Sequence, residues 1–467
     1  MVNESKGRQE RRKIGREVRE SVPRDSLAHW DPPADRRDPV QLLMDQSDYR
    51  VQELVPIRYA RMLSSEFAFY RGAAAVMASD LSYSPNTHMT VQICGDAHLV
   101  NFGGYAAPDR AFVFDVNDFD ETLPGPFEFD LKRLVASFAV AGRDRQFDEA
   151  TRAPIIQEVV RTYRSAIQTF SEMERMDVWY SRLTADDIEA EWGADVTKKM
   201  RKNFEKTVAK AQTKTSQRAL QKLTVTSPDG TTSFDSNPPF MVPLSEVFGD
   251  EDREEAQAAV QSALVGYRRS LASDRRTLFS GYRVVDLARK VVGVGSVATR
   301  CWVMLLTADQ DESDVLMLQI KQAVPSVYEA YLGPSRSPQH GQRVVEGQRV
   351  MQAASDILLG WTQVTIKGQE NDFYVRQMWD WKESADISTM DPDALKVYGQ
   401  LCGWTLARAH ARSGDRVALA GYLGSDDKFD KAMVAFAEAY ADQNAKDYKA
   451  LQDAASAGRI EVAAQAW

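Results

Sequence analysis

Two polar stretches 22 residues apart constrain this chain more than any other feature. The first is Cys94-Gly95-Asp96-Ala97-His98-Leu99-Val100-Asn101-Phe102, where an Asp precedes an Asn by five residues. The second is the apolar run Phe112-Val113-Phe114-Asp115-Val116, which delivers Asn117-Asp118-Phe119-Asp120-Glu121. Alone, Asp-x-x-x-x-Asn reads as a polar turn. A further carboxylate at the end of an apolar strand changes that reading. Phosphoryl transfer needs one carboxylate to orient or deprotonate an attacking hydroxyl. It also needs an Asn and a second carboxylate to hold Mg²⁺ against nucleotide phosphates. Mg²⁺ prefers oxygen ligands and borrows phosphate oxygens and water for the rest. Asp96 is therefore the expected catalytic residue, and Asn101 and Asp118 are the expected metal ligands. Asp120 is a candidate for a further ligand, Asp115 for a ligand or support, and His98 for bracing the loop.

Bulk properties narrow the class. A chain of 467 residues is too long for one small core and suggests several lobes. Its 43% hydrophobic and 27% charged residues are globular proportions. A net charge of −9 argues against nucleic acid as a partner for the protein as a whole. Three cysteines in apolar contexts (Cys94, Cys301, Cys402) argue against disulfides and fit a reducing cytoplasm. No apolar run approaches 18 residues, so no membrane span is expected. The charged N-terminus lacks the apolar core of a secretion signal.

The pattern along the chain is helical, then β-rich, then helical. Residues 1–40 read as a flexible basic arm, with eight Lys/Arg and five Asp/Glu in the first 25. Helical spacing covers 47–82, 127–142, 151–174 and 180–222. Short strands are expected at 91–94 and 112–116, flanking a turn that contains Gly103-Gly104. From 195 to 222 there are nine Lys/Arg and two Asp/Glu, a solvated helix face or a docking surface for an anionic partner. A hairpin or loop is expected at 223–245 and a helix at 252–272. Strands follow at 284–294, 299–306 and 315–321, then a helix at 340–355, strands at 361–367 and 372–379, and helices from 393 on. The chain divides into a helical lobe at 41–280, a β-rich lobe at 281–385 and a helical return at 386–467. Arg408, His410 and Arg412 on the returning helix face either an anionic substrate or solvent.

Gly-Asp-x-His-x-x-Asn, then a strand ending in Asp-Phe-Asp, then Asp130-Leu131, resembles the phosphotransfer core of aminoglycoside phosphotransferases and choline kinases. That resemblance implies that Asp130, at the head of a helix, braces the Asp96 loop through backbone N–H groups. Cys94 stands where those enzymes usually carry His. The whole chain, over roughly 40–450, is similar to a bacterial family catalogued as a domain of unknown function with a kinase-like fold. The hallmarks are Phe67-Ala68-Phe69-Tyr70-Arg71-Gly72, the Asp96 and Asp118 blocks, Gly347-Gln348-Arg349, and Trp404-Thr405-Leu406-Ala407-Arg408-Ala409-His410.

The implied order is inverted. An ordinary kinase places its nucleotide-clamping β lobe before the catalytic loop, yet the residues before Asp96 look helical. The missing parts lie downstream. Gly293-Val294-Gly295-Ser296 between two strands can cover phosphates with backbone N–H groups. Lys321 ends an apolar strand, as a phosphate-binding Lys would, with Glu329 or Glu346 as its partner. Gln377, Met378 and Trp379 would form the hinge that holds adenine. The expectation is an α+β, protein-kinase-like, two-lobed fold, circularly permuted, which is tolerable where termini are close and exposed. The expected activity is ATP- and Mg²⁺-dependent phosphoryl transfer to a hydroxyl of a small molecule whose identity the sequence does not reveal. The alternatives are nucleotidyl (AMP) transfer on the same fold, or a non-catalytic nucleotide-binding scaffold.

Overall fold

The computed structural model describes residues 7–193, 197–228, 230–248, 253–366, 368–378 and 380–464, so Trp379 lies outside the described residues. The chain is a mixed α+β protein with several antiparallel sheets. Four long helices organise its helical part: Phe127–Asp144, Glu149–Glu172, Pro392–Ser413 and Lys428–Ser456. Two start at aspartate caps: Asp148 accepts from Thr151 N–H and Asp391 from Ala394 N–H, with Pro392 at the first helical position. Their apolar faces share one core that includes Phe127, Phe138, Tyr163, Leu406 and Phe436. Helices from both ends of the sequence thus build a single body, and the helix pair Glu149–Glu172 and Pro392–Ser413 lies at its centre.

Three expectations change here. Residues 8–21 are not a solvated arm: Arg8–Ser21 is a helix packed on Arg416–Leu423. Its arginines read as solvated in the sequence but serve a helix end. Arg19 donates to Tyr422 O at 2.8 Å, and Arg24 donates to Leu423 O at 2.6 Å, satisfying carbonyls that a helix C-terminus leaves open. The 47–82 helix is three helices, Val55–Met62, Glu66–Gly72 and Ala74–Tyr83. The Ser65 hydroxyl caps the second by accepting from Ala68 N–H. Gly103-Gly104 lies within a strand, Phe102–Ala106, which pairs with Phe112–Val116. A Cβ on Gly104 would meet the Phe112 ring at 1.9 Å, so close strand packing, and not a turn, requires that glycine. Thr90–Ile93 pairs with Leu123–Pro126 instead.

The β-rich part is one six-stranded antiparallel sheet. Its order is Gly360–Ile366, Gln369–Gln377, Val315–Ala323, Cys301–Ala308, Tyr282–Lys290 and Met241–Pro243. Alternation along Val315–Ala323 sorts its side chains. Leu316 and Leu318 join a core with Tyr267, under the helix Arg253–Ser270. Val315 and Met317 face a second core with Val303 and Leu305. Lys321 shares that second face by parity. The helix His340–Met351 and the short strand Glu383–Ser384, which pairs with Phe102–Ala106, tie the sheet to the helical part.

The basic stretch forms Lys198–Gln212 and Ser216–Leu223. Lys210 and Lys214 pair with Glu383, whereas Lys198, Lys199, Lys202 and Lys206 are exposed. Among the described residues no helix is long and apolar enough to cross a membrane.

Candidate functional site

The strand Thr90–Ile93 delivers the Asp96 loop, and its backbone is fixed from behind. Gly95 adopts φ 82°, and a Cβ there would meet Glu121 O at 2.3 Å, so this bend takes only glycine. Asp130 accepts from Cys94 N–H at 2.7 Å and from Gly95 N–H at 2.9 Å. His410 Nε2 lies 3.3 Å from the same carboxylate, and Tyr163 Oη lies 2.8 Å from His410 Nδ1. One helical turn beyond Asp130, the buried Arg133 Nε donates to Asp96 Oδ1 at 2.8 Å. The Asp96 carboxylate keeps 19% exposure. Burial pushes it up to about 6; Arg133 opposes that rise and nearby Asp118 adds to it. The Asn101 amide donates to Asp96 O at 2.8 Å, which leaves its amide oxygen as the group able to meet a cation.

Asp118 and Asp120 follow the strand Phe112–Val116, and Asp120 N–H donates to Asp118 Oδ1 at 3.2 Å. Lys321 arrives from the sheet 201 residues later. It stands opposite Tyr374 in the register, so both side chains point to one face. Both meet Asp120: the Lys321 ammonium pairs with Oδ2, and Tyr374 Oη donates to Oδ1 at 2.7 Å. Burial disfavours the charge on each partner, and the pairing outweighs it. Asp118 and Asp120 hold Lys321, which is only 3% exposed, well above its ordinary value, and Lys321 holds Asp120 below its own.

A cleft of about 160 Å³ opens beside Asp118 and Asp120. Asp96, His98, Asn101, Asp118, Asp120 and Glu121 line it, and Gly293, Gly295 and Ser296 of the glycine turn line it with them. Ser296 Oγ donates to Asp120 Oδ2 at 3.5 Å. Arg50, from the helical part, donates to Gly295 O at 2.9 Å and to Val297 O, which pins the glycine turn. Burial pushes Glu121 up to about 7, against the N–H of Val327.

Other expected residues lie elsewhere. Lys321 pairs with neither glutamate. Glu329 accepts from Ser326 N–H and sits 3.6 Å from His340, while the exposed Glu346 accepts from Ser337 and Gln342. Gln377 lines a separate cavity with Asn117, Arg376 and Lys382, and Met378 is buried in the sheet core. Their amides are taken, Gln377 N–H by Asp356 and Met378 N–H by Met317 O, so neither is free to hold a base. Asp115 is buried behind the site, paired with Arg408, and also accepts from Ala353 N–H at 2.9 Å. Arg408, His410 and Arg412 are all buried, so the late helix is a brace and not a substrate face.

Several contributors escaped the sequence reading. Arg133 had a signal, its i,i+3 spacing from Asp130. Arg343 had none: it donates to Thr122 O, Asp120 O and Val324 O, clamping the Asp118 segment to the sheet from the helix His340–Met351. Among the described residues no cluster of three or more His, Cys, Asp or Glu can hold a metal unaided.

An α+β protein with an acidic cleft between a helical body and an antiparallel sheet is the class these observations define. The chain belongs to the family described as uncharacterized proteins conserved in bacteria (DUF2252), which it matches over residues 50–454. No curated protein and no solved structure matches it.

Proposed function

We propose that this chain is an ATP-dependent phosphotransferase of protein-kinase-like, circularly permuted architecture, acting on a hydroxyl of a small molecule. The observation that carries the reading is the meeting of Lys321 with Asp120, which lines a cleft with Asp118, Asp96 and Asn101. A buried lysine among carboxylates, under a glycine turn, suits a triphosphate with its cation. The donor set fits Mg²⁺, which needs only one or two carboxylates once phosphate oxygens and waters complete its shell. Asp118 and the Asn101 amide oxygen would hold it, and bound Mg²⁺ would neutralise charge on the transferring phosphoryl group.

Asp96 orients the acceptor hydroxyl and takes its proton. The hydroxyl oxygen forms a bond to the γ-phosphorus as the bond from that phosphorus to the β–γ bridging oxygen breaks, and ADP leaves with the electron pair. Lys321 steadies the phosphates, exchanging its contact with Asp120 for one with the nucleotide. Arg133 keeps Asp96 in place, and Asp130 fixes the loop that carries it.

The test is a screen of metabolite pools with the full chain, ATP and Mg²⁺, reading ADP and pyrophosphate separately. Acceptor-dependent ADP release supports the reading. Pyrophosphate release instead would assign nucleotidyl transfer, and binding without either product would assign a scaffold.

A further inference from the structure

The hallmark Phe67-Ala68-Phe69-Tyr70-Arg71-Gly72 has no part in the chemistry described so far, yet its end opens onto the cleft. The helix Glu66–Gly72 stops there and Ala74–Tyr83 begins, with Gly72 and Ala74 in the cleft wall. Ala73 occupies the N-cap position and offers no side-chain acceptor. Alanine is among the poorer residues for that position, because the first N–H groups of a helix need an acceptor. Among the described residues, nothing accepts from Ala74 N–H or Ala75 N–H.

Two side chains that line the same cleft each carry a buried nitrogen without a hydrogen-bond partner, although His98 Nε2 lies 3.8 Å from Asp96 Oδ2. Arg71 lines the cleft, and its buried Nε has no partner. The carboxylate that acts on it, Asp96, already takes Arg133. His98 is 4% exposed and lines the same cleft, and its Nδ1 has no partner. A helix N-terminus without acceptors, a guanidinium nitrogen and a ring nitrogen without partners are the components of an oxyanion site. All come from the helical part and the Asp96 loop. The groups suited to the nucleotide, by contrast, are the glycine turn and Lys321 from the sheet, with Asp118 and Asn101.

We infer that Arg71, the Ala74 and Ala75 amides and His98 form a subsite for a phosphate group carried by the acceptor, which makes the acceptor a phosphorylated alcohol. This rests on the phosphotransferase reading for the word acceptor; the anion subsite itself does not. The Arg71 fork and the two amides bind the non-reacting phosphate, and that contact places the free hydroxyl at Asp96.

The probe is inorganic phosphate, titrated calorimetrically into the full chain with and without a saturating non-hydrolysable ATP analogue and Mg²⁺. Phosphate is expected to bind in both conditions. Arg71→Gln is expected to weaken it roughly tenfold or more, as for a lost charge-assisted hydrogen bond, and Arg71→Lys less, with analogue affinity unchanged in both variants. Equal phosphate affinity in wild type and in a folded Arg71→Gln protein would overturn the subsite. So would an absence of phosphate binding to wild type. Displacement of phosphate by the analogue, with weaker analogue binding in Arg71→Gln, would overturn its assignment to the acceptor and give it to the nucleotide. Arg71-dependent phosphate binding in a protein that binds no analogue would uphold the anion subsite and remove the phosphotransferase reading.

Discussion

Charged groups behind the Asp96 loop and charged groups in front of it are balanced differently. Behind it, several buried carboxylates are paired with arginines. Asp115 meets Arg408 with both side chains 1% exposed, Asp80 and Asp447 share Arg36, and Asp430 takes Arg164 through two hydrogen bonds of 2.8 Å. In front, Asp118 and Asp120 crowd around one Lys321, Glu121 sits near Asp120 and Asp96, and the buried Arg71 Nε has no hydrogen-bond partner among the described residues. Matched buried charges hold a structure in one arrangement. Carboxylates pushed upward by burial in a cleft, as Asp96 and Glu121 are, cost stability and are retained where chemistry needs them. The same residue types therefore play two roles, and their surroundings separate the two.

The largest effect is expected behind the loop. Arg408→Met strands Asp115 in the interior and should cost about 3–5 kcal/mol of stability, read by denaturant unfolding. A loss under about 1 kcal/mol would mean that the pair is not a brace. In front of the loop the balance reverses. Asp96→Asn keeps an oxygen that can accept from Arg133, so it should cost less stability than Arg408→Met while lowering turnover on the order of 10²–10⁴-fold, the range of a lost general base. Unchanged turnover would remove Asp96 from the chemistry.

The smallest effect sharpens the contrast through pH. The folded-state values of Asp96, about 6, and Glu121, about 7, lie above the ordinary 3.8 and 4.5. On raising the pH the unfolded chain loses these protons first. Their contribution to stability is therefore full below about pH 4 and is lost as pH climbs through about 6 and 7. Glu121→Gln should thus stabilise the nucleotide-free protein at pH 8, on the order of 1–3 kcal/mol, with no gain at pH 4. Turnover should move the other way, falling as pH drops through about 6, because a protonated Asp96 cannot accept the acceptor's proton. A pH-independent effect of Glu121→Gln would show that its carboxyl is not crowded.

Local pattern made much of this architecture readable. The apolar run from Val315 to Ile320 marked a strand, and the spacing after Phe127 and Glu149 marked long helices. The Asp96 and Asp118 loops were recognisable because their residues lie near one another in sequence. What stayed hidden depends on contacts between distant segments. Nothing local distinguishes Asp120 from Glu329 or Glu346 as the partner of Lys321, because strand register across the sheet makes that choice. Arg19 and Arg24 read as solvated, since the helix end they cap comes some 400 residues later. The burial of Arg408 and His410 likewise depends on Asp115 and Asp130, which a helical pattern near residue 400 does not reveal.

The central claim is that Asp118 and its neighbours hold a cation against nucleotide phosphates. Calorimetric titration of ATP into the full chain, with and without Mg²⁺, tests it directly in wild type and Asp118→Asn. The account predicts Mg²⁺-dependent binding to wild type and its loss in the variant, with the fold intact, because an amide lacks the charge that keeps the cation beside phosphate. Wild-type affinity in Asp118→Asn, or no binding to wild type, would contradict it.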